Sequence, residues 1–319
     1  MSLIKEQQSK QTASTVLAMR PKVFHYTDEA AESNSFMRST TLSHQEQLKT
    51  ALNEFDHFVE TLQKKDIDLL VYQAKNESAA TIFPNNWFTT HTDGRLVLYP
   101  MAVTHRRLER EKKLYERFLL QNNFSVSEIL DWTHYENEGL FLEGTGSLVL
   151  DRQNRVAYAS LSPRANHKLL EKFSQCFGYH LVSFEAFDQT KKSIYHTNVM
   201  MSVGQKMAVV TLPAISNLKE KNELLASFEK SGLEVINLSF EQMDQFCGNV
   251  LEVQSKSGEP VLVMSERAYR HFSKAQMAVL EKHVTPLFSP IPSIETFSGG
   301  GTRCMLAEIF LPRVENQET

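Results

Sequence analysis

What most constrains this chain is a repeat: two short apolar strands, a helix and a third strand, recurring about every fifty residues. In mid-sequence the unit runs as strands at Ser147–Leu150 and Val156–Ser160, a helix over Pro163–Phe177 and a strand at His180–Phe184. It returns as Val199–Val203, Met207–Leu212, Ser216–Lys230 and Glu234–Leu238, then as Val250–Gln254, Pro260–Met264, Ser265–His283 and Val284–Phe288. An earlier copy joins strands 87–90 and 95–100 through Thr92-Asp93-Gly94, a hairpin turn, with a helix over Thr104–Asn122 and a strand at Ser125–Leu130. The first copy lacks its leading strand: it has Ser14–Pro21, a helix over Thr41–Lys65 and Asp68–Tyr72, while Met305–Leu311 is a lone strand near the other end. Joined across the termini, these pieces make a fifth ββαβ unit. The expected fold is therefore α/β: a five-fold pseudo-symmetric propeller over residues 15–312 as one domain, with a flexible lead-in over 1–14 and a tail over 313–319.

If the units are equivalent, residues just ahead of each first strand share a place near the axis. They are Asn86, Glu143, the segment His196 to Asn198, Asn249 and Cys304, separated by 57, 53, 53 and 55 residues. All are polar or ionisable, beside strongly apolar strands. A thiol, an imidazole and a carboxylate are what nucleophilic catalysis requires: attacking group, acid/base and orienting partner. Cys304 also follows Gly299-Gly300-Gly301, three of only 12 glycines, where the backbone can pass close to a ligand. Alone, such a cysteine is more often a small buried hydrophobe. At a position shared with His196 and Glu143 it reads as a nucleophile.

Composition narrows the partners. Among 319 residues, 34 Lys and Arg face 38 Asp and Glu, so no basic surplus exists to neutralise a nucleic acid. No apolar run reaches the length of a membrane span, and the polar start of the chain reads as no secretory signal, so the expected location is cytoplasmic. Three cysteines, Cys176, Cys247 and Cys304, are too few and too dispersed for a disulfide framework or a cysteine-rich zinc site, and no His-Glu-x-x-His is present. The expected partner is a small or neutral molecule, with no cofactor, metal, nucleic acid or membrane; a homodimer stays open.

Several segments together carry a family resemblance. Gly299-Gly300-Gly301-Thr302-Arg303-Cys304-Met305, Phe141-Leu142-Glu143-Gly144-Thr145, Tyr195-His196-Thr197-Asn198, Phe246-Cys247-Gly248-Asn249-Val250-Leu251 and Leu161-Ser162-Pro163-Arg164-Ala165-Asn166 resemble the guanidine-modifying, or pentein, superfamily. This superfamily includes arginine deiminases, dimethylarginine hydrolases and amidinotransferases; the overall pattern is most similar to citrulline-utilising hydrolases. The resemblance implies that Cys304 attacks the central carbon of a guanidino or ureido group, that His196 is the acid/base, and that Glu143 contacts both histidine and substrate. It further implies that Arg164, and Arg106 or its neighbour Arg107, bind the amino acid carboxylate, with Asn86, Asn198, Asn249 and Gly301 around the substrate.

Arginine deiminases carry Asp at the places of Asn86 and Asn198. Paired carboxylates suit a cationic guanidinium, whereas carboxamides offer a donor and an acceptor without charge. The expected reaction is hydrolysis of citrulline through a carbamoyl thioester to ornithine, ammonia and carbon dioxide. The alternatives are an amidinotransferase, a hydrolase acting on arginine or dimethylarginine, and a non-catalytic ring-shaped binding protein. For the thiolate, Arg303 and a protonated His196 are candidate stabilisers, and deprotonation by the substrate is the other route.

Overall fold

Each repeat folds as a small three-stranded sheet in the computed structural model, which describes residues 10–314. The sheets are β3 (Phe88–Thr90), β4 (Arg95–Leu98) and β5 (Glu128–Asp131); β6 (Val149–Asp151), β7 (Val156–Ser160) and β8 (His180–Phe184); β9 (Met201–Val203), β10 (Met207–Val210) and β11 (Glu234–Asn237); and β12 (Leu251–Gln254), β13 (Pro260–Ser265) and β14 (Thr285–Ser289). The fifth joins β15 (Ala307–Ile309) to β1 (Thr15–Arg20) and β2 (Asp68–Gln73). In every unit the first two strands are antiparallel and the last two parallel, as a crossover helix demands. The termini meet where Thr15 pairs with Ile309.

The middle strands carry sheet neighbours on both sides and are buried throughout at β7 and β10, which is why they read as unbroken apolar runs. Their side chains form no single central core. Instead, one apolar cluster lies between each unit and the next: Leu17 and Met19 pack with Phe88 and Leu96, Val97 and Tyr99 with Leu150 and Ala157, and Val156 and Tyr158 with Ala208 and Val210. Met207 and Val209 pack with Leu262 and Met264, and Val261 and Val263 return to Val16 and Ala18. Five interfaces for five units close the ring.

The longest helix, His44–Lys64, starts with a capping box between Ser43 and Glu46 and buries Ala51, Phe55, Phe58 and Leu62 along one stripe. Each fully buried phenylalanine or leucine stabilises the packing by roughly 1.5–3 kcal/mol.

Several expectations need correction. Residues 10–14 of the lead-in are not loose: Gln11 is 6% exposed, its Nε2 donates to the carbonyls of Leu150 and Val203, and its Oε1 accepts from the Arg152 amide. Residues 1–9 and 315–319 lie outside the described residues, and Arg313, placed in the tail, is tied to Asp68 at 2.6 Å. The helix expected over 104–122 is instead a 3₁₀ helix at Thr104–Glu109, a π turn at Leu114–Phe118 and one α turn at Leu119–Gln121. The helix over 265–283 breaks at extended Phe272, where Ser273 and Gln276 cap a new one. The helix expected from Pro163 begins at His167, capped by Asn166, and the last strand shrinks to three residues.

Candidate active site

Turns ahead of the first strands bring the chemistry together. A 3₁₀ turn at Pro84–Asn86 carries Asn86, another at Thr197–Val199 follows His196, and a short helix at Gly144–Ser147 follows Glu143. Asn249 precedes β12, and Cys304 closes a turn by donating its amide to the Gly301 carbonyl at 3.1 Å. All five side chains are buried, none more than 3% exposed.

The thiol of Cys304 meets two amide donors, Asn249 Nδ2 at 3.2 Å and Asn198 Nδ2 at 3.4 Å. Asn249 Nδ2 also donates to the Asn198 carbonyl at 2.9 Å, which fixes that amide with its nitrogen toward sulfur. Gly301 makes this possible, since a Cβ there would lie 2.7 Å from Asn249 Oδ1. Burial pushes the Cys304 thiol pKa up, against the pull of the Asn249 donor, the Arg303 charge and the Asn198 donor. Arg303 itself points to the Leu306 carbonyl and Glu308, so it assists only as a distant charge.

His196 and Glu143 form a buried pair, Nε2 to Oε2 at 2.8 Å. Burial lowers the histidine to about 4, despite the carboxylate beside it. Desolvation works the other way on Glu143, but the Arg164 guanidinium, His196 and Arg106 outweigh it and hold this carboxyl well below the usual range. At neutral pH the imidazole is therefore uncharged and the carboxylate ionised, an arrangement ready to accept one proton on the ring. Gly146, which the sequence reading passed over, lets Asn86 and His196 converge: a Cβ there would sit 2.4 Å from Asn86 Nδ2 and 2.8 Å from His196 Nδ1.

Of the two candidate arginines, Arg106 is the buried one, while Arg107 lies partly exposed against Glu136. Arg106 makes a two-pronged pair with Glu109, Nε to Oε1 at 2.8 Å and Nη2 to Oε2 at 2.9 Å, and Nη2 also donates to Asn86 Oδ1 at 2.9 Å. Its Nη1 stands 3.5 Å from Glu143. Arg164 reaches Glu143 at 3.4 Å and otherwise donates to the Ser33 hydroxyl and the Ala30 carbonyl, on a segment that covers the site.

The nine sequence-derived residues thus gather in one place. Cys304, His196, Asn86, Arg106 and Arg164 line a narrow pocket with a cavity volume of about 30 Å³. Glu143, Asn198, Asn249 and Gly301 touch these residues from behind. Missed were Glu109, Tyr195, whose hydroxyl donates to the Gly299 carbonyl at 2.8 Å, and Asn34, which donates to the Ser298 and Gly299 carbonyls. Only the Arg-x-x-Glu spacing at 106–109 could have signalled the first of these. Among the described residues, no group of three or more His, Cys, Asp or Glu could hold a metal, and no helix is long and apolar enough to cross a membrane.

A family model described as N,N dimethylarginine dimethylhydrolase, eukaryotic, matches residues 20–311. Among curated proteins, no sequence matches the chain. Solved structures share its fold. The arginine dihydrolase ArgZ of the ornithine–ammonia cycle in cyanobacteria is 15% identical with a TM-score of 0.71, covering 95% of this chain and 41% of that one. The chain thus spans about two fifths of full-length ArgZ, but 93% of it covers 99% of the ArgZ N-terminal domain, solved as a substituted form covalently bound to a reaction intermediate (15% identity, TM-score 0.70). Dimethylarginine dimethylaminohydrolase from Pseudomonas aeruginosa, a Cys-to-Ser variant complexed with citrulline, is 11% identical with a TM-score of 0.64, over 93% of this chain and all of that one.

Proposed function

Because the chain belongs to the N,N dimethylarginine dimethylhydrolase family, within the guanidine-modifying superfamily of cysteine hydrolases, we propose that it cleaves a C–N bond of a ureido or guanidino amino acid through Cys304, with citrulline the best-suited substrate. One observation carries the citrulline reading. An arginine can only donate, so the Asn86 atom facing Arg106 Nη2 is the oxygen, and Nδ2, on a residue that lines the pocket, is left without a protein partner. A ureido oxygen accepts from that N–H; the N–H groups of a guanidinium do not.

In this reading His196 takes the proton of the Cys304 thiol, and sulfur adds to the ureido carbon. The proton then passes to the ornithine nitrogen as the C–N bond breaks, leaving a carbamoyl thioester. Water, deprotonated by the same histidine, displaces the thiol; the carbamic acid formed splits into ammonia and carbon dioxide. Glu143 stabilises the transient imidazolium. The Asn249 and Asn198 amides stabilise the thiolate.

The second reading, a guanidino substrate such as arginine or dimethylarginine, draws support from the description of the family model and from ArgZ. Incubation with citrulline, arginine, methylated arginines, agmatine and carbamoyl-putrescine, with amine and ammonia measured, separates the two. Ornithine and ammonia released from citrulline in water are expected. Turnover of arginine with none of citrulline would overturn the first reading, and ornithine release only in the presence of an acceptor amine would make the protein an amidinotransferase.

A further inference from the structure

We infer that Glu109 is a positioning residue: through Arg106 it engages the Asn86 oxygen and leaves the amide nitrogen as the group without a protein partner, and so decides whether the site meets an acceptor or a donor on its substrate. This rests on the reading of Asn86 as a substrate contact. Glu109 is 0% exposed, and its carboxylate takes two N–H groups of Arg106 and the hydroxyl of Ser78 at 3.0 Å. The 3₁₀ helix at Thr104–Glu109 creates the pair, because side chains three residues apart eclipse in that geometry and Arg106 is stacked on Glu109.

An asparagine amide turns about its last torsion at little cost, and its two ends differ only in what they bond. Asn86 has one fixed partner, Arg106 Nη2 on Oδ1. Without it, the amide can rotate and present oxygen to the pocket, which suits the N–H groups of a guanidinium. Arg106 is poorly placed to take the substrate carboxylate itself. Its Nε and Nη2 are committed to Glu109, and its Nη1 faces Glu143, so an incoming carboxylate would stand beside two acids. The task of holding a carboxylate falls to Arg164, whose outer contacts are a hydroxyl, a backbone carbonyl and the face of the Tyr195 ring.

The test uses the full chain and the ratio of kcat/KM for citrulline to that for arginine, with unfolding midpoints measured alongside. Glu109→Gln is expected to move the ratio toward arginine by about tenfold, and Ser78→Ala in the same direction by about threefold. A purely structural role for Glu109 lowers both substrates equally, and an unmoved ratio in folded Glu109→Gln overturns the inference. Should that variant fail to fold, Ser78→Ala decides by the same criterion. Asn86→Asp, which fixes an acceptor in the pocket, separates the levels. If it shifts the ratio while Glu109→Gln and Ser78→Ala do not, the positioning role falls and the substrate reading stands. If Asn86→Asp also leaves the ratio unmoved, or the wild type turns over neither compound, the reading of Asn86 falls and takes the inference with it.

Discussion

Cys247 and Cys304 lie ahead of the first strands of neighbouring units, and both are buried, at 0% and 3% exposure. Each belongs to an apolar cluster, but the polar contacts of the two sulfurs differ. Cys247 sits in the apolar cluster with Val250, Leu262 and Met264, its sulfur near only the Ala268 carbonyl at 3.5 Å, and burial pushes its pKa up to about 12. Cys304 suffers the same burial, but two carboxamide donors and the charge of Arg303 pull against it. Burial is common to both thiols; donors aimed at sulfur distinguish the one fitted to carry negative charge.

The sharpest way to break this contrast is to remove each sulfur. Cys304→Ser is expected to lower turnover by at least about four orders of magnitude while ligand binding persists. Cys247→Ser should leave the rate within about twofold and cost roughly 1 kcal/mol of stability, read by urea unfolding. Similar rate losses in the two variants would erase the distinction.

A smaller effect is expected from the acid beside His196. Glu143→Gln should lower kcat by about a hundredfold to a thousandfold with little change in KM. Its stability profile carries a sign: Arg164, His196 and Arg106 overcome desolvation to depress the native carboxyl pKa. Their contribution is thus present above the unfolded value of about 4.3 and is lost as pH falls through the native one. Urea midpoints between pH 3 and 7 should therefore fall more steeply at the acid end for wild type than for Glu143→Gln. Parallel profiles would mean that the carboxylate is not held ionised.

The finest test weighs the donors. Asn249→Ala should slow iodoacetamide alkylation of Cys304 at pH 8 by about three- to tenfold, and Asn198→Ala, which removes the longer contact, by less. Cys247, with no such donors, serves as the internal reference. An unaltered alkylation profile would strip the asparagines of their role.

The ring was legible because its middle strands are continuously apolar and its turns are polar, and because the missing first strand reappears at Ala307–Ile309. The convergence of Cys304, His196 and Glu143 followed from that repeat. Harder to read was the stretch 104–122, which the sequence reading takes as one α-helix. In the structure Arg106 pairs with Glu109 within a 3₁₀ turn, and tertiary contacts override the local pattern. Nor could composition reveal that residues 30–34 cover the pocket, since the polar contacts of Ser33 and Asn34 follow no periodicity. The capping boxes at Ser239 and Ser273 were visible as Ser-x-x-Gln and mark the helix starts that went unread.

The order of the units along the chain gives the closing strand a further meaning. As synthesis proceeds from the N-terminus, β1 has β2 on one side and an open edge on the other until β15 arrives from the far end of the sequence. The turn that carries Cys304 immediately precedes that last strand. A partly made chain therefore holds His196 and Glu143 but lacks Cys304, the nucleophile of the proposed mechanism, and the thiol is seated by the same pairing that seals the exposed sheet edge. Chemical competence arrives with the final stitch of the ring.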